Sequence, residues 1–218
     1  IPMNRLKGTC LALLPAKLAR RFGLERVLPK FARDALSLVP ADTNAATVPD
    51  MSPAVVATRR GRVGFIQGCV MSVMFGRTNQ ATVKLLNRAG YDVLTPAGQI
   101  CCGALYAHSG KLGDARESAR RNIAAFEKLE LDAIITNAAG CGSTLKEYGH
   151  LLADDPEWAE RATAFSAKVK DLTEFLIACP GLLDSLRITD GTSRITYHDA
   201  CHLAHAQRIT KPPRELVK

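Results

Sequence analysis

The sequence predicts an α/β fold, a parallel sheet built from βαβ units with an N-terminal helical arm, on three observations. Short apolar runs at Arg62–Gln67, Tyr91–Leu94 and Ala133–Thr136 read as buried strands. Between them lie stretches whose apolar residues recur at steps of three and four, the alternation expected of parallel βαβ units. Cysteines follow soon after each run: Cys69, then Cys101-Cys102-Gly103, then Cys141. Right-handed crossovers put every strand C-terminus on one edge of the sheet, so these thiols converge where an open α/β sheet places its ligands.

Residues 1–39 form a basic arm. Leu6–Leu14 and Ala16–Ala35 are compatible with two or three short amphipathic helices, with Leu14, Leu18, Phe22, Leu24, Val27, Leu28 and Phe31 at roughly helical spacing. Pro15 and Pro29 must occupy first turns or break the run. Such helices are expected to pack on the following domain or on a further module. Residues 40–60, with Pro40, Pro49 and Pro53 among small polar residues, have the composition of a linker.

The folded domain is expected over 61–190. After the strand ending before Gly68, Asn79–Ala89 carries Val83, Leu86 and Ala89 on one helical face, with Gly90 at the C-cap position. The strand Tyr91–Leu94 is closed by Thr95-Pro96, and a second helix follows on Leu112, Ala115, Ala119, Ile123 and Phe126. Asn137-Ala138-Ala139-Gly140 leads from the third strand to Cys141, and a helix is expected to open at Ser143. Pro156–Ala167 and Leu172–Cys179 read as helices, the first started by Asp154-Asp155. Arg194–Tyr197 reads as a fourth strand running into His198-Asp199-Ala200-Cys201-His202, so 191–218 looks like the start of a second unit. An unpaired strand there leaves an exposed sheet edge, and a dimer or a disordered tail is the expected response.

At 218 residues and 47% hydrophobic, the chain can bury one substantial core. No apolar run approaches a membrane span, and the N-terminus lacks the pattern of a secretory signal, so a cytoplasmic protein is expected. The formal charge of +8 suggests nucleic acid until it is divided. Residues 1–62 hold 11 Lys and Arg against 4 Asp and Glu, whereas 63–218 are nearly balanced at 18 against 17. The arm's only rings, Phe22 and Phe31, do not interleave with its charges as a single-strand binding surface requires, which leaves docking to an acidic partner or a membrane surface.

The seven cysteines are an odd number in a chain with a full aliphatic core, which excludes a disulfide scaffold. Cys10 and Cys179 read as small hydrophobes. Zinc sites usually take cysteines as two close pairs on short knuckles, whereas the close pair here, Cys101-Cys102, is adjacent and strained around one small ion. Neighbouring irons of a cluster can each take one of the two, so iron–sulfur ligation explains the doublet better. Thiol–disulfide exchange ranks third for want of a Cys-x-x-Cys pair. Gln67-Gly68-Cys69 lacks the further glycines of a dinucleotide fingerprint. Among the histidines, His202 beside Cys201 could ligate metal or tune it, while His108, His150, His198 and His205 read as structural.

Taken together, Gly68-Cys69, Cys101-Cys102-Gly103, Asn137-Ala-Ala-Gly-Cys141-Gly-Ser-Thr-Leu and His198-Asp-Ala-Cys201-His-Leu resemble the cysteine-rich CCG domain family, a Rossmann-like domain. The motifs are most similar to the iron–sulfur subunits of glycolate oxidase. The resemblance implies that Cys69, Cys101, Cys102 and Cys141 ligate a [4Fe–4S] cluster in a first repeat and that Cys201 opens a second. It implies an electron-transfer subunit of a flavin-linked 2-hydroxy-acid (glycolate) dehydrogenase, with FAD and the substrate chemistry on a flavoprotein partner. Electrons would pass towards a quinone or other membrane acceptor, from a cytoplasmic position peripheral to the inner face of the membrane. Asn137 and Ser143 are then candidates to hydrogen-bond the cluster sulfurs. The pattern departs from the family at Ala138, which stands where the first cysteine of a closing Cys-x-x-Cys belongs. This removes the fifth thiolate of a noncubane cluster and leaves a conventional four-thiolate or labile site. The ferredoxin-like module and the doublet of a second repeat are also missing, so the chain reads as a fragment. The alternative is a non-catalytic zinc-binding or interaction module that docks an acidic partner through the arm.

Overall fold

Five strands form one sheet in the order β1-β3-β2-β4-β5. The computed structural model describes residues 18, 21–23, 26–37, 47–56, 58–182 and 194–217. The expected helix over 6–14, and Cys10, lie outside the described residues. β2 (Gly61–Ile66), β3 (Tyr91–Leu94), β4 (Ala133–Thr136) and β5 (Val169–Asp171) are parallel. β1 (Met51–Ser52) pairs antiparallel along the outer side of β3. The expected α/β fold with a mostly parallel sheet is therefore what forms.

β2 and β4 lie at the centre, and their side chains alternate between two cores. On one face Val63, Phe65, Ala133 and Ile135 pack with Val83 and Leu86 of α3 (Gly76–Arg88), and with Leu176 of α9 (Leu172–Ile177). On the other, Ile66 and Ile134 pack with Ala119, Ile123 and Phe126 of α5 (Leu112–Phe126) and with Phe165 of α8 (Ala159–Lys168). Burial on both faces explains why these strands are continuous apolar runs. Gly64 leaves room for this second core: a Cβ there would lie 2.8 Å from Leu131 and Phe126.

Three expectations are corrected. The linker composition of 40–60 hides a docked strap over 47–55: Val48 is buried, Thr95 Oγ1 donates to the Pro49 carbonyl at 2.8 Å, and the Ala54 N–H donates to Asp92. Its prolines suit an edge, where a missing N–H costs no ladder bond. Arg194–Tyr197 is not a strand but largely exposed irregular chain, because its β-like residues find no partner strand among the described residues. The ground for an exposed edge, and for a dimer there, goes with it. The expected disordered tail is replaced by a π-helical turn (His202–Ala206) and α10 (Lys211–Leu216), which bury Leu203, Ile209 and Pro213. In the arm, α1 (Lys30–Ser37) is helical as expected and has no fully buried residue.

α9 begins with a capping box: Asp171 accepts the Thr173 N–H, and the Glu174 side chain accepts the Asp171 N–H. Glu174 also ties α9 to Lys146, the last residue of α6 (Ala139–Lys146), at 2.8 Å. Burial would raise the Glu174 pKa, but the Lys146 hydrogen bond and the charges of Lys146 and Lys170 outweigh it and hold the carboxyl below its usual range. A depressed folded pKa gives stability that is present above the unfolded value, about 4.3, and is lost as pH falls through the folded one. Glu174→Gln is therefore expected to melt below the wild type at neutral pH, with the gap closing as pH drops below about 4. Thermal unfolding midpoints across that range check this, and a gap that stays constant would contradict it.

Candidate metal centre

Three strand ends build the site. β2 leads through Gln67 and Gly68, which has a positive φ of 69°, directly into α2 (Cys69–Met74) with Cys69 at its first position. β3 leads through Gln99 and Ile100 to Cys101-Cys102-Gly103, and then α4 (Ala104–His108). β4 leads into α6, in which Cys141 is an early residue. From β2 the chain first moves to β3 on one side, then crosses to β4 on the other, so the site lies at the topological switch point of the parallel sheet.

The four thiols meet in a row. Cys69 Sγ donates to Cys101 Sγ at 3.6 Å, and the Cys102 thiol sits close enough to Cys101 and to Cys141 to perturb the acidity of both. A Cβ on Gly68 would stand 3.9 Å from the Cys141 sulfur, so that sulfur also reaches the β2 exit. Cys102 is buried, while Cys69, Cys101 and Cys141 are partly exposed. Hydrogen bonds from Cys102 and Cys69 lower the Cys101 pKa strongly, and the bond from Cys102 lowers that of Cys141. The donors shift up: Cys69 through its bond to Cys101 and then burial, Cys102 through its bonds to Cys101 and Cys141 and then burial. Backbone N–H groups of Val70, Gly103 and Ala104 favour negative charge on Cys69, Cys101 and Cys102 respectively.

A buried polar clamp holds the backbone under the doublet. Asn122 Oδ1 accepts the Ile100 N–H at 2.9 Å, and its Nδ2 donates to the Cys101 carbonyl and to Tyr148 Oη, both at 3.1 Å. Tyr148 Oη donates in turn to the Cys102 carbonyl at 2.7 Å. Gln99 accepts from the Gln67 N–H and donates to the Phe65 carbonyl, fixing the β2 exit to the β3 exit. Gly103 turns the chain away with φ 85°, and a Cβ there would press on Ser118 and the Ala115 backbone at 3.2–3.3 Å. Asn122, Tyr148 and Gln99 were not singled out from the sequence. A signal for Asn122 existed: it lies seven residues after Ala115 and four before Phe126, in phase with the apolar stripe of α5.

The other expected site residues fall differently. Asn137 Nδ2 donates to Asn79 Oδ1 and Thr82 Oγ1, bracing the Cys141 loop against α3, and its buried Oδ1 has no partner. Ser143 donates to the Gly140 carbonyl within its own helix. That helix opens at Ala139 rather than at Ser143, because Ala138 is already extended at φ −123° and the chain can turn helical immediately after it. Cys201 is exposed and outside the row of thiols. His202 stacks near His108, with ring centroids 5.6 Å apart, and Gln207 reaches back to donate to the Ala139 carbonyl of α6 at 2.9 Å. Around the thiols, Val70, Leu105 and Tyr106 are exposed apolar side chains.

Among the described residues, no three His, Cys, Asp or Glu side chains surround a single ion position. The Cys69–Cys101 spacing alone would suit one tetrahedral ion, whose sulfurs stand about 3.8 Å apart at zinc bond lengths. Four soft sulfur donors in a row, two of them adjacent in sequence, fit a centre of several irons better.

Comparison with known proteins follows the same lines. Residues 63–146 match the family described as the CCG cysteine-rich domain. The chain is 44% identical over 202 residues to the probable glycolate oxidase iron–sulfur subunit of Bacillus subtilis, covering 91% of this chain and 45% of that protein. It is 37% identical over 171 residues to an uncharacterized iron–sulfur protein of Methanocaldococcus jannaschii, covering 78% and 31%. It is 32% identical over 157 residues to lactate utilization protein A of Bacillus velezensis, covering 72% and 64%. The chain thus spans about half the length, or less, of the first two of these relatives. No solved structure matches it.

Proposed function

We propose, from the match of residues 63–146 to the cysteine-rich CCG domain family, that Cys69, Cys101, Cys102 and Cys141 hold an iron–sulfur cluster of the [4Fe–4S] type that relays electrons. The single observation that carries this is the convergence of four cysteines from three strand exits at the switch point of the sheet, with Cys69 and Cys101 in contact. Ala138 in place of a further cysteine favours four thiolate ligands rather than five. When bound, such a cluster supplies one-electron exchange without proton chemistry on the protein. The chain's own residues do the rest. The Asn122 and Tyr148 clamp fixes the doublet, backbone N–H groups favour thiolates, and burial of Cys102 keeps water from one side of the row.

The similarity to a glycolate oxidase iron–sulfur subunit supports a place in a 2-hydroxy-acid dehydrogenase, with FAD and the acid's chemistry on a flavoprotein subunit. The exposed Val70, Leu105 and Tyr106 support contact with that partner at the thiol edge. Electrons leave towards a quinone or other membrane acceptor, with the protein on the cytoplasmic side. No helix among the described residues is long and apolar enough to cross a membrane. Domain limits of 61–190 for the first unit and 191–218 for the start of a second are part of this reading. Cys201 then serves that second unit, and Asn137 and Ser143 support the Cys141 loop.

Metal analysis of protein purified and reconstituted without oxygen tests the reading. About four irons and four acid-labile sulfides per chain, with visible absorption that bleaches on reduction, are expected. Zinc, or no metal, would overturn it in favour of an interaction module.

A further inference from the structure

Tyr148 is fully buried yet places its hydroxyl 2.7 Å from the carbonyl of Cys102. Its ring is held independently, stacked on Phe165 with centroids 5.4 Å apart, so the hydroxyl has no freedom to seek another acceptor. Asn122 supplies the hydroxyl's own hydrogen bond and pins the Cys101 carbonyl beside it. The Cys102 carbonyl and the Gly103 N–H belong to one rigid, planar peptide unit. That N–H immediately follows the Cys101-Cys102 doublet. A donor on the carbonyl polarises the whole unit and strengthens what its N–H offers on the far side.

We propose that Tyr148 is a positioning residue for the metal centre: by donating to the Cys102 carbonyl it fixes and polarises the peptide unit that joins Cys102 to Gly103. The proposal rests on the iron–sulfur reading above and adds a residue that tunes the centre without touching it. Hydrogen bonds to ligand sulfurs stabilise the reduced, more negative state and so raise the reduction potential. Tyr148 therefore sets the potential through a peptide bond.

The test uses the whole 218-residue chain, reconstituted with iron and sulfide without oxygen and titrated electrochemically. Tyr148→Phe keeps the ring and its stacking. It is expected to bind as much iron as the wild type and to be harder to reduce, the equilibrium falling up to about tenfold, about 59 mV for one electron. A ring-fluorinated tyrosine at position 148, a stronger donor of the same shape, is expected to move the potential the opposite way. An unchanged potential in Tyr148→Phe at equal iron content overturns the proposal and leaves the iron–sulfur reading standing. If Tyr148→Phe loses its iron, the fluorinated chain decides: a positive displacement supports the proposal and none overturns it. A wild-type chain that takes up no iron removes the reading, and this proposal with it.

Discussion

Serine at both positions of the doublet, Cys101→Ser with Cys102→Ser, is expected to reduce bound iron from about four per chain to less than about one tenth of that. The two residues lie in the middle of the row, and each contacts one outer thiol as well as the other. Removing both leaves Cys69 and Cys141 without a sulfur between them. Serine oxygen is a harder ligand that does not replace thiolate at iron–sulfur centres. The carbonyls of both residues remain clamped by Asn122 and Tyr148, so the fold should persist and circular dichroism should match the wild type. Cys179→Ser and Cys201→Ser serve as contrasts. Cys179 is buried in the opposite core and donates to the Phe175 carbonyl, and Cys201 is exposed. Both variants are expected to keep wild-type iron content, and loss of iron in Cys201→Ser would require redrawing the ligand set.

Phe126→Ala should be the most damaging change to the scaffold. Phe126 is 1% exposed, meets Phe165 edge-to-face at 6.1 Å between centroids, and fills the space that Gly64 leaves on β2. Deleting such a ring costs about 3–5 kcal/mol, because β2 and the helices that define the cavity cannot collapse into it. Against a typical total of about 5–15 kcal/mol, this is a large share of the stability. Urea unfolding followed by circular dichroism measures it as a fall in midpoint at unchanged slope. A loss below about 1 kcal/mol would mean that the core on this face is loosely packed.

The three central strands were legible because burial on both faces made each a short run of apolar residues, bounded by residues that stop it. β5 was not: Val169-Lys170-Asp171 is brief, carries two charged residues and lies between helices, so no local pattern marks it. β1 was hidden by the prolines that flank it, Pro49 and Pro53. Arg194–Tyr197 misled for the opposite reason, having the residue types of a strand without a neighbour to pair with. The convergence of the cysteines was legible because it follows from handedness alone: parallel strands end together. The clamp beneath them was not, since Asn122 and Tyr148 lie 21 and 46 positions from the carbonyls they hold and look like any polar or aromatic residue of a helix. The exit of β4 was placed correctly, but the start of α6 was set late because Gly140 and Gly142 obscured its first turn.

The sulfurs of Cys69, Cys101, Cys102 and Cys141 are neighbours only through contacts between β2 and β3 and between β2 and β4. No short segment of the chain brings more than the doublet together. During synthesis the last of these thiols emerges 72 residues after the first, and none of the earlier ones can be completed locally. A metal held there, as proposed, would not template this architecture as zinc templates a small finger. It would load on a finished scaffold, with the order of assembly, first polypeptide and then inorganic centre, set by the connectivity.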